Sequence, residues 1–583
     1  MVNMGKNNKN IRRQNYIQLL LLMAVIVMAG MAGSVWFTRF DLTGEKRYTL
    51  SPSTKDILTN LNDIVFFRVY LDGDFPAGFK RLRRETKELL DEFRAYNKNI
   101  QYEFINPSES ENAKERNDTY KLLMEQGLQP TNLQVNTKNG MEQKVIFPGA
   151  IVTYREKEIP IELLDAQLNV PPESVLNHSI ENLEFKLINA IQRITRKKKP
   201  HIAFIEGHGE LREKEVWDIT QTLKQDYVVD RVAINENINV LTNRFLKDSI
   251  HNDYEIVPKY AAIIIAKPDS AFSEKDKFII DQYLMYGGKI LWLIDPVIAS
   301  MDSIKSSPST VAIDANLRLQ DQLFGYGVRL NKDLIMDLNA MPIPLKTGMM
   351  GNQPQISFFP WYYFPLITPI SQHPIVRNLN AIKTQFVSSI DTNRVKGVKK
   401  TILLQSSNYS RTVNMPAVIS LSMLRKKPNE SLYKGPPKTL AVLLEGTFKS
   451  FYDNRIPPSL MESKEIGFKN HSTQTAMIVV SDGDIIRNQF KIPGGYPLPL
   501  GYDQFTKETF GNKEFLLNAI NYLTDGSSLI SVRSKEVKLR LLNSTLVNNN
   551  RVLIQVINVV VPVLVVILAG LLLVWFRKKK YAK

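Results

Sequence analysis

Residues 202–210 read IAFIEGHGE, and the role of this corner decides what kind of domain surrounds it. Ile202, Ala203, Phe204 and Ile205 form a short apolar run of the kind that fills a buried strand. Gly207 and Gly209 then admit backbone angles that other residues resist, and let the main chain pass close to a neighbour. His208 lies between Glu206 and Glu210. A histidine base needs a nucleophile and an orienting acid within hydrogen-bond reach. Either glutamate can orient it, but the chain has no cysteine and contains no Gly-x-Ser-x-Gly elbow. As metal donors, Glu206, His208 and Glu210 stand without a His-Glu-x-x-His, and the six histidines are scattered. The simpler reading is that EGHGE turns the chain from strand to helix. His208 and Glu210 then bond loop amides or cap the next helix. A ligand pocket, or a catalytic or metal role, stands beside that reading.

Outward from this corner the pattern alternates. Strands are expected at 201–205, 228–234, 261–266 and 289–294, with helices at 214–225 and 274–286. Gly287 and Gly288 end the second helix. Helices alternating with short apolar strands predict a parallel sheet covered on both faces. Further strands are expected at 328–336, 401–404, 440–444 and 476–480, and a helix at 514–523. The segments 301–312, 391–399 and 448–473 read as loops or insertions.

Open sheets of this kind gather ligand groups beyond the carboxyl ends of their strands. Asp295 follows LWLI there, and SDGD at 481–484 supplies Asp482 and Asp484. A pocket rim would therefore consist of His208, Glu206, Glu210, Asp295, Asp482 and Asp484, although Asp and Gly also make ordinary turns. No Gly-x4-Gly-Lys-Ser/Thr is present, so nucleotide hydrolysis must come from another chain. The run FFPWYYFPL at 358–366 holds Phe358, Phe359, Trp361, Tyr362, Tyr363 and Phe364. Exposed, these six would be a partner surface, since aromatics dominate interface energetics. Buried, they would form a core-packing loop between domains.

Upstream, 38–170 reads as a smaller, membrane-proximal α/β domain. Ser51-Pro52 starts a short helix, since Ser caps and Pro suits the first helical position. Strand 64–71, helix 79–96 and strand 100–105 make a β-α-β unit, followed by a helix at 113–126. Extended segments follow at 133–137, 143–147 and 150–154. The layout is thioredoxin-like, without the Cys-x-x-Cys that a redox role requires. A long helix at 171–195 has one broad apolar face, and 171–199 reads as a connection to the parallel-sheet domain at 200–530. A juxtamembrane segment, 531–552, closes the body.

Both ends carry apolar runs. Residues 17–37 and 553–576 are uncharged and long enough to cross a bilayer as helices. Lys6, Lys9, Arg12 and Arg13, with Arg577, Lys578, Lys579, Lys580 and Lys583, supply nine of the 17 excess positive charges. The middle is only mildly basic and shows no basic stripe with interleaved aromatics, so nucleic acid is not expected as a partner. Short basic tails at 1–16 and 577–583 favour the cytoplasm. The chain is therefore expected to be a two-pass protein of the cell inner membrane with a periplasmic ectodomain.

These residues also carry a resemblance. DLTGEKRYTLSPSTKDIL after the first apolar run, IAFIEGHGE, FSEKDKFIIDQYLMYGGKILWLIDPV, SDGDIIRNQF and FLLNAINYLTDGSSLISVR occur in that order. Together they resemble the auxiliary extracytoplasmic proteins of a class of bacterial ABC transporters. Within that class they are similar to the gliding-motility-associated, substrate-binding-like subunits of Bacteroidota. The resemblance covers nearly the whole chain. It implies a parallel-sheet domain similar to the class I glutamine-amidotransferase-like fold of intraflagellar-transport-type domains. It also implies a polytopic permease and a separate ATPase as partners, and a role in gliding motility or linked cell-surface machinery. The expectation is a non-enzymatic subunit without cofactor or bound metal, which presents a ligand or transmits ATPase-driven motion, with other envelope proteins as possible partners. The rivals are a hydrolase-like enzyme using His208 and nearby carboxylates, and an envelope scaffold with no transport role.

Overall fold

The computed structural model describes residues 16–28, 49–137, 140–165, 171–248, 253–307, 309–351, 353–525, 547 and 550–581. Two units are present: Met1–Arg47 with Glu536–Lys583, and the body Tyr48–Lys535. In the terminal unit, Arg551–Tyr581 is one helix containing the whole of 553–576, with Pro562 inside it. It is long and apolar enough to cross a membrane. Of the expected first span, the helix Tyr16–Met28 is described. The remainder of that span, DLTGEKRY, and most of 531–552 lie outside the described residues.

In the first part of the body, Ser51 caps α1 (Pro52–Thr59) by accepting from the Thr54 amide. Strand β1 (Val65–Val69), helix α2 (Ala77–Tyr96) and strand β2 (Ile100–Phe104) form the β-α-β unit. With β3 (Gly149–Tyr154) and β4 (Lys157–Glu162) they make a four-stranded sheet in the order β2-β1-β3-β4. β1 is parallel to β2 and antiparallel to β3. The segment expected as one long helix breaks at Asn182 into α3 (Pro172–Glu181) and α4 (Leu183–Thr195). Asn182 is buried there and gives its side-chain amide to Asp165 at 2.7 Å. These helices are more than a connection. Leu183, Leu187, Ile188 and Ile191 share one core with Val65, Phe67 and Phe93, so they complete the first layer.

The second part is built on seven strands: β5 (His201–Glu206), β6 (Val228–Ala233), β7 (Ala262–Ala266), β8 (Ile290–Leu293), β9 (Val398–Gln405), β10 (Thr439–Gly446) and β11 (Thr475–Val480). Their order is β9-β10-β11-β8-β7-β5-β6. The five strands from β11 to β6 are mutually parallel. β10 and β9 then add antiparallel at the edge, so the sheet is mixed rather than wholly parallel.

Alternate side chains serve two cores, as strand geometry demands. Ile202, Phe204, Ile264 and Leu291 face α5 (Trp217–Leu223) and α8 (Asn512–Thr524). Ala203, Ile205, Ile263 and Trp292 face α6 (Glu274–Met285) and α7 (Gln320–Tyr326). Asp281 of α6 is buried, with its carboxylate saturated by Ser450 Oγ at 2.6 Å, Tyr326 Oη at 2.7 Å and the Phe451 amide at 2.9 Å.

The segment between β8 and β9 departs most from expectation. Residues 301–312, read as a loop, contain the helix Met301–Ser306 and part of the strand Ser309–Asp314. The single strand expected at 328–336 is two, Val328–Leu330 and Asp333–Asp337, each paired outside the main sheet. A long hairpin, Ala340–Met350 with Gln353–Ile367, carries the aromatic run as a strand, not a loop.

Candidate functional site

The order β6-β5-β7-β8-β11 reverses direction between β5 and β7, because β5 comes first and its two neighbours lie on opposite sides. The crevice outside their carboxyl ends is the usual ligand position in such sheets. The EGHGE corner lies at that point. Its loop is tied to the loop after β7: the Asp269 and Ser270 amides both donate to His208 O, at 2.9 and 3.0 Å, and the Leu211 amide donates to Ala266 O at 3.0 Å. Gly209 has φ +74°, and a Cβ there would lie 1.6 Å from Asp269 Oδ1, so no other residue fits without rearrangement.

His208 is buried, with its ring stacked 3.7 Å from Phe272. Its Nδ1 lies 3.2 Å from Glu210 Oε1 and its Nε2 3.1 Å from Asp276 Oδ2. The second oxygen of each acid is also occupied. Glu210 Oε2 accepts from the His208 amide at 2.7 Å, and Asp276 Oδ1 from the Glu236 amide at 2.9 Å. Asp276 sits in the first turn of α6, which Ser273 caps. Burial works against a charge on His208, but the hydrogen bonds and charges of Glu210 and Asp276 outweigh it and hold its pKa above the ordinary value. Glu206 turns elsewhere and pairs with Arg231 of β6.

Asp295, Asp482 and Asp484 converge in a second cluster, around Lys267, which directly follows β7. Lys267 Nζ lies 3.0 Å from Asp295 Oδ2 and also contacts Asp484 Oδ2. Asp482 accepts from the Gln385 amide at 2.9 Å and the Asp484 amide at 2.8 Å. Arg487 joins Asp484 to Glu215 beside α5. Burial, opposed in part by Lys267, raises the pKa of Asp295; burial and the neighbouring acids raise that of Asp482. Burial acts against the Lys267 charge, yet Asp295 and Asp484 hold its pKa above the usual lysine value.

The six rim residues therefore separate into three places. His208 and Glu210 join Asp276; Asp295, Asp482 and Asp484 join Lys267; Glu206 stands with Arg231. Lys267, Asp276 and Arg487 were not singled out from the sequence. Lys267 directly follows an apolar strand in IIIAK, the criterion that selected Asp295, so that signal was present. Asp276 was hidden because its partner is distant in the chain. Among the described residues, no group of three or more metal-type side chains is placed to hold an ion. What the arrangement does chemically is saturate its own groups and tie the loops after β5, β7, β8 and β11 together.

The aromatic surface is largely withdrawn from solvent. Trp361, Tyr362, Tyr363 and Phe364 are buried in the core of the hairpin region. Phe359 is half-buried, and Phe358 is 50% exposed. Of the two alternatives, the buried one describes these four: Tyr362 packs on Tyr433, Tyr363 and Phe364 on Phe386, and Trp361 on Tyr363.

Comparisons with known proteins complete the description. The family model described as "ABC-type uncharacterized transport system", for auxiliary components, matches residues 199–519, more than half of the chain. A second model, for a domain of unknown function, matches residues 44–153. An uncharacterized protein of Borreliella burgdorferi is 20% identical over 586 residues, covering 99% of this chain and 100% of its own length. A solved structure described as "mmIFT52 N-terminal domain" aligns with a TM-score of 0.30 and 12% identity, over 56% of this chain and 98% of that one. At that score the likeness carries no argument.

Proposed function

Because the chain belongs to the auxiliary-protein family of ABC-type transport systems, and so is an accessory component of such a transporter, we propose that it is a non-enzymatic, membrane-anchored subunit. Its body would lie in the periplasm and pack beside a polytopic permease powered by a separate ATPase. The role we infer is in gliding motility or linked cell-surface machinery, where the body presents a ligand or relays ATPase-driven motion to envelope partners.

One observation carries the non-enzymatic part. The switch-point crevice, where a doubly wound enzyme would keep reactive groups free, is closed by pairs its own residues form. Both ring nitrogens of His208 face carboxylates, and Lys267 is clamped between two aspartates. A general base needs a free ring nitrogen to reach a proton, and both nitrogens of His208 are taken up by Glu210 and Asp276. The apolar helix Arg551–Tyr581, whose last turns carry Arg577, Lys578, Lys579 and Lys580, supports anchoring.

The test is purification of the full chain from membranes in mild detergent. A permease and an ATPase should co-purify in fixed ratio, and isolation of a lone monomer would overturn the complex. The enzymatic rival predicts turnover of ester or amide substrates by the full chain, lost in His208→Ala while assembly persists. That result would overturn the non-enzymatic reading.

A further inference from the structure

A cavity of about 310 Å³ is lined mainly by the segment between β8 and β9 and by residues 489–505 after β11, and its wall reaches the Asp482 cluster through Gln385. Its wall includes Ile304, Met341, Ile343, Leu345 and Phe364. Ile492, 71% exposed, and Phe505, 44% exposed, stand among its lining residues as apolar rim. An apolar chamber of this size with a few fixed polar groups is the ordinary form of a small-molecule site. A cavity half as large holds benzene, so this one has room for about a dozen non-hydrogen atoms.

The cationic group among the lining residues is Lys383, beside Gln385, Gln489, Asp503 and Gln504. Its side chain is only 8% exposed. An ammonium has three donors, and among the described residues Lys383 Nζ makes a single hydrogen bond, to Tyr502 O at 3.3 Å. The nearest carboxylate oxygen, Asp503 Oδ2, is 3.9 Å away. Asp503 is already committed to other donors, Gln489 Nε2 at 2.7 Å and the Phe505 and Thr506 amides at 3.1 and 3.0 Å. A buried cation so incompletely partnered is pushed towards neutrality: burial, only partly opposed by Asp503, lowers its pKa to about 8.

We propose that this cavity binds a small amphipathic monocarboxylate, its apolar stem in the chamber between Met341 and Phe364 and its carboxylate on Lys383 Nζ. An arriving carboxylate would complete the ammonium's hydrogen bonds and supply charge that Asp503 cannot, while the stem displaces poorly bonded water from apolar walls. The inference is independent of the transporter reading, which concerns partners rather than this chamber.

The probe is octanoate, with octanol and octylamine as neutral and cationic comparators. Each is measured by equilibrium dialysis against the full chain in lipid nanodiscs, with empty nanodiscs as blank. Octanoate should bind saturably at one site, at least about tenfold more tightly than octanol or octylamine. Lys383→Met should remove that preference and leave octanol unaffected, and Ile343→Trp, which fills the chamber, should abolish both. On the unmodified chain, octanoate affinity should weaken as pH rises from 7 to 9.5, while octanol affinity stays level. This arm needs no variant to fold. No saturable octanoate binding, octanoate no tighter than octanol, or a preference that survives Lys383→Met in a folded chain overturns the proposal.

Discussion

His208 shows how a polar side chain is afforded a place in a buried turn. Two carboxylates and an aromatic face surround it, and its pKa is held above the ordinary value. The sign of the pH dependence follows. A histidine whose folded pKa is raised stabilises the fold fully below its unfolded value, about 6.5, and loses that contribution as pH climbs through the folded value. The urea midpoint of the wild type should therefore fall between about pH 6 and pH 9, and His208→Ala should flatten that slope. At pH 6 the variant should lose about 3–5 kcal/mol, because Glu210 and Asp276 are left as buried, uncompensated charges. A variant with the wild-type slope would show that His208 is not the titrating group. The sequence made the turn legible through two glycines around one histidine. It could not show Asp276, because contact between a loop and the start of a later helix is set by the sheet order, not by spacing.

Elements were legible in proportion to how far local pattern governed them. α6 and β8 followed from the Gly287-Gly288 stop and the apolar run after it, and in the structure Ser273 caps α6. The strands Ser309–Asp314 and Asp333–Asp337 did not follow so directly, because they pair with segments far along the chain. The hairpin strand was obscured differently: FFPWYYFPL looks like a loop by its prolines and is a strand by its pairing with Ala340–Met350. Trp361→Ala should cost about 3–5 kcal/mol in denaturation experiments, whereas Phe358→Ser, at a half-exposed position, should change stability by about 0.5 kcal/mol or less. Equal effects would place the whole run in one environment, contrary to the burial described. The β5–α5 turn makes a similar contrast. Gly209→Ala should cost more than the roughly 1–2 kcal/mol of a left-handed alanine, since Asp269 must also move. Gly495→Ala, at φ +67° with nothing within 4 Å, should cost only the backbone part. Similar losses at both sites would remove the case for close packing at Gly209.

At the scale of the molecule, composition and the terminal apolar runs were the plainest signals, and the mixed edge of the main sheet the least visible. The full chain should stay with the membrane pellet through high salt and alkaline carbonate and enter solution only with detergent; release by salt alone would contradict anchoring by Arg551–Tyr581. The place of β11 in the sheet has a further meaning for how this body comes into being. β11 is the last strand of the sheet to be made, yet it lies between β8 and β10 in the finished layer. Until it emerges, β8 offers an unpaired apolar border of Ile290, Leu291, Trp292 and Leu293 to whatever strand is nearby. Such borders invite pairing between chains. A nascent chain stalled before Thr475 should therefore be the most aggregation-prone intermediate in its biogenesis, and the one in greatest need of a chaperone.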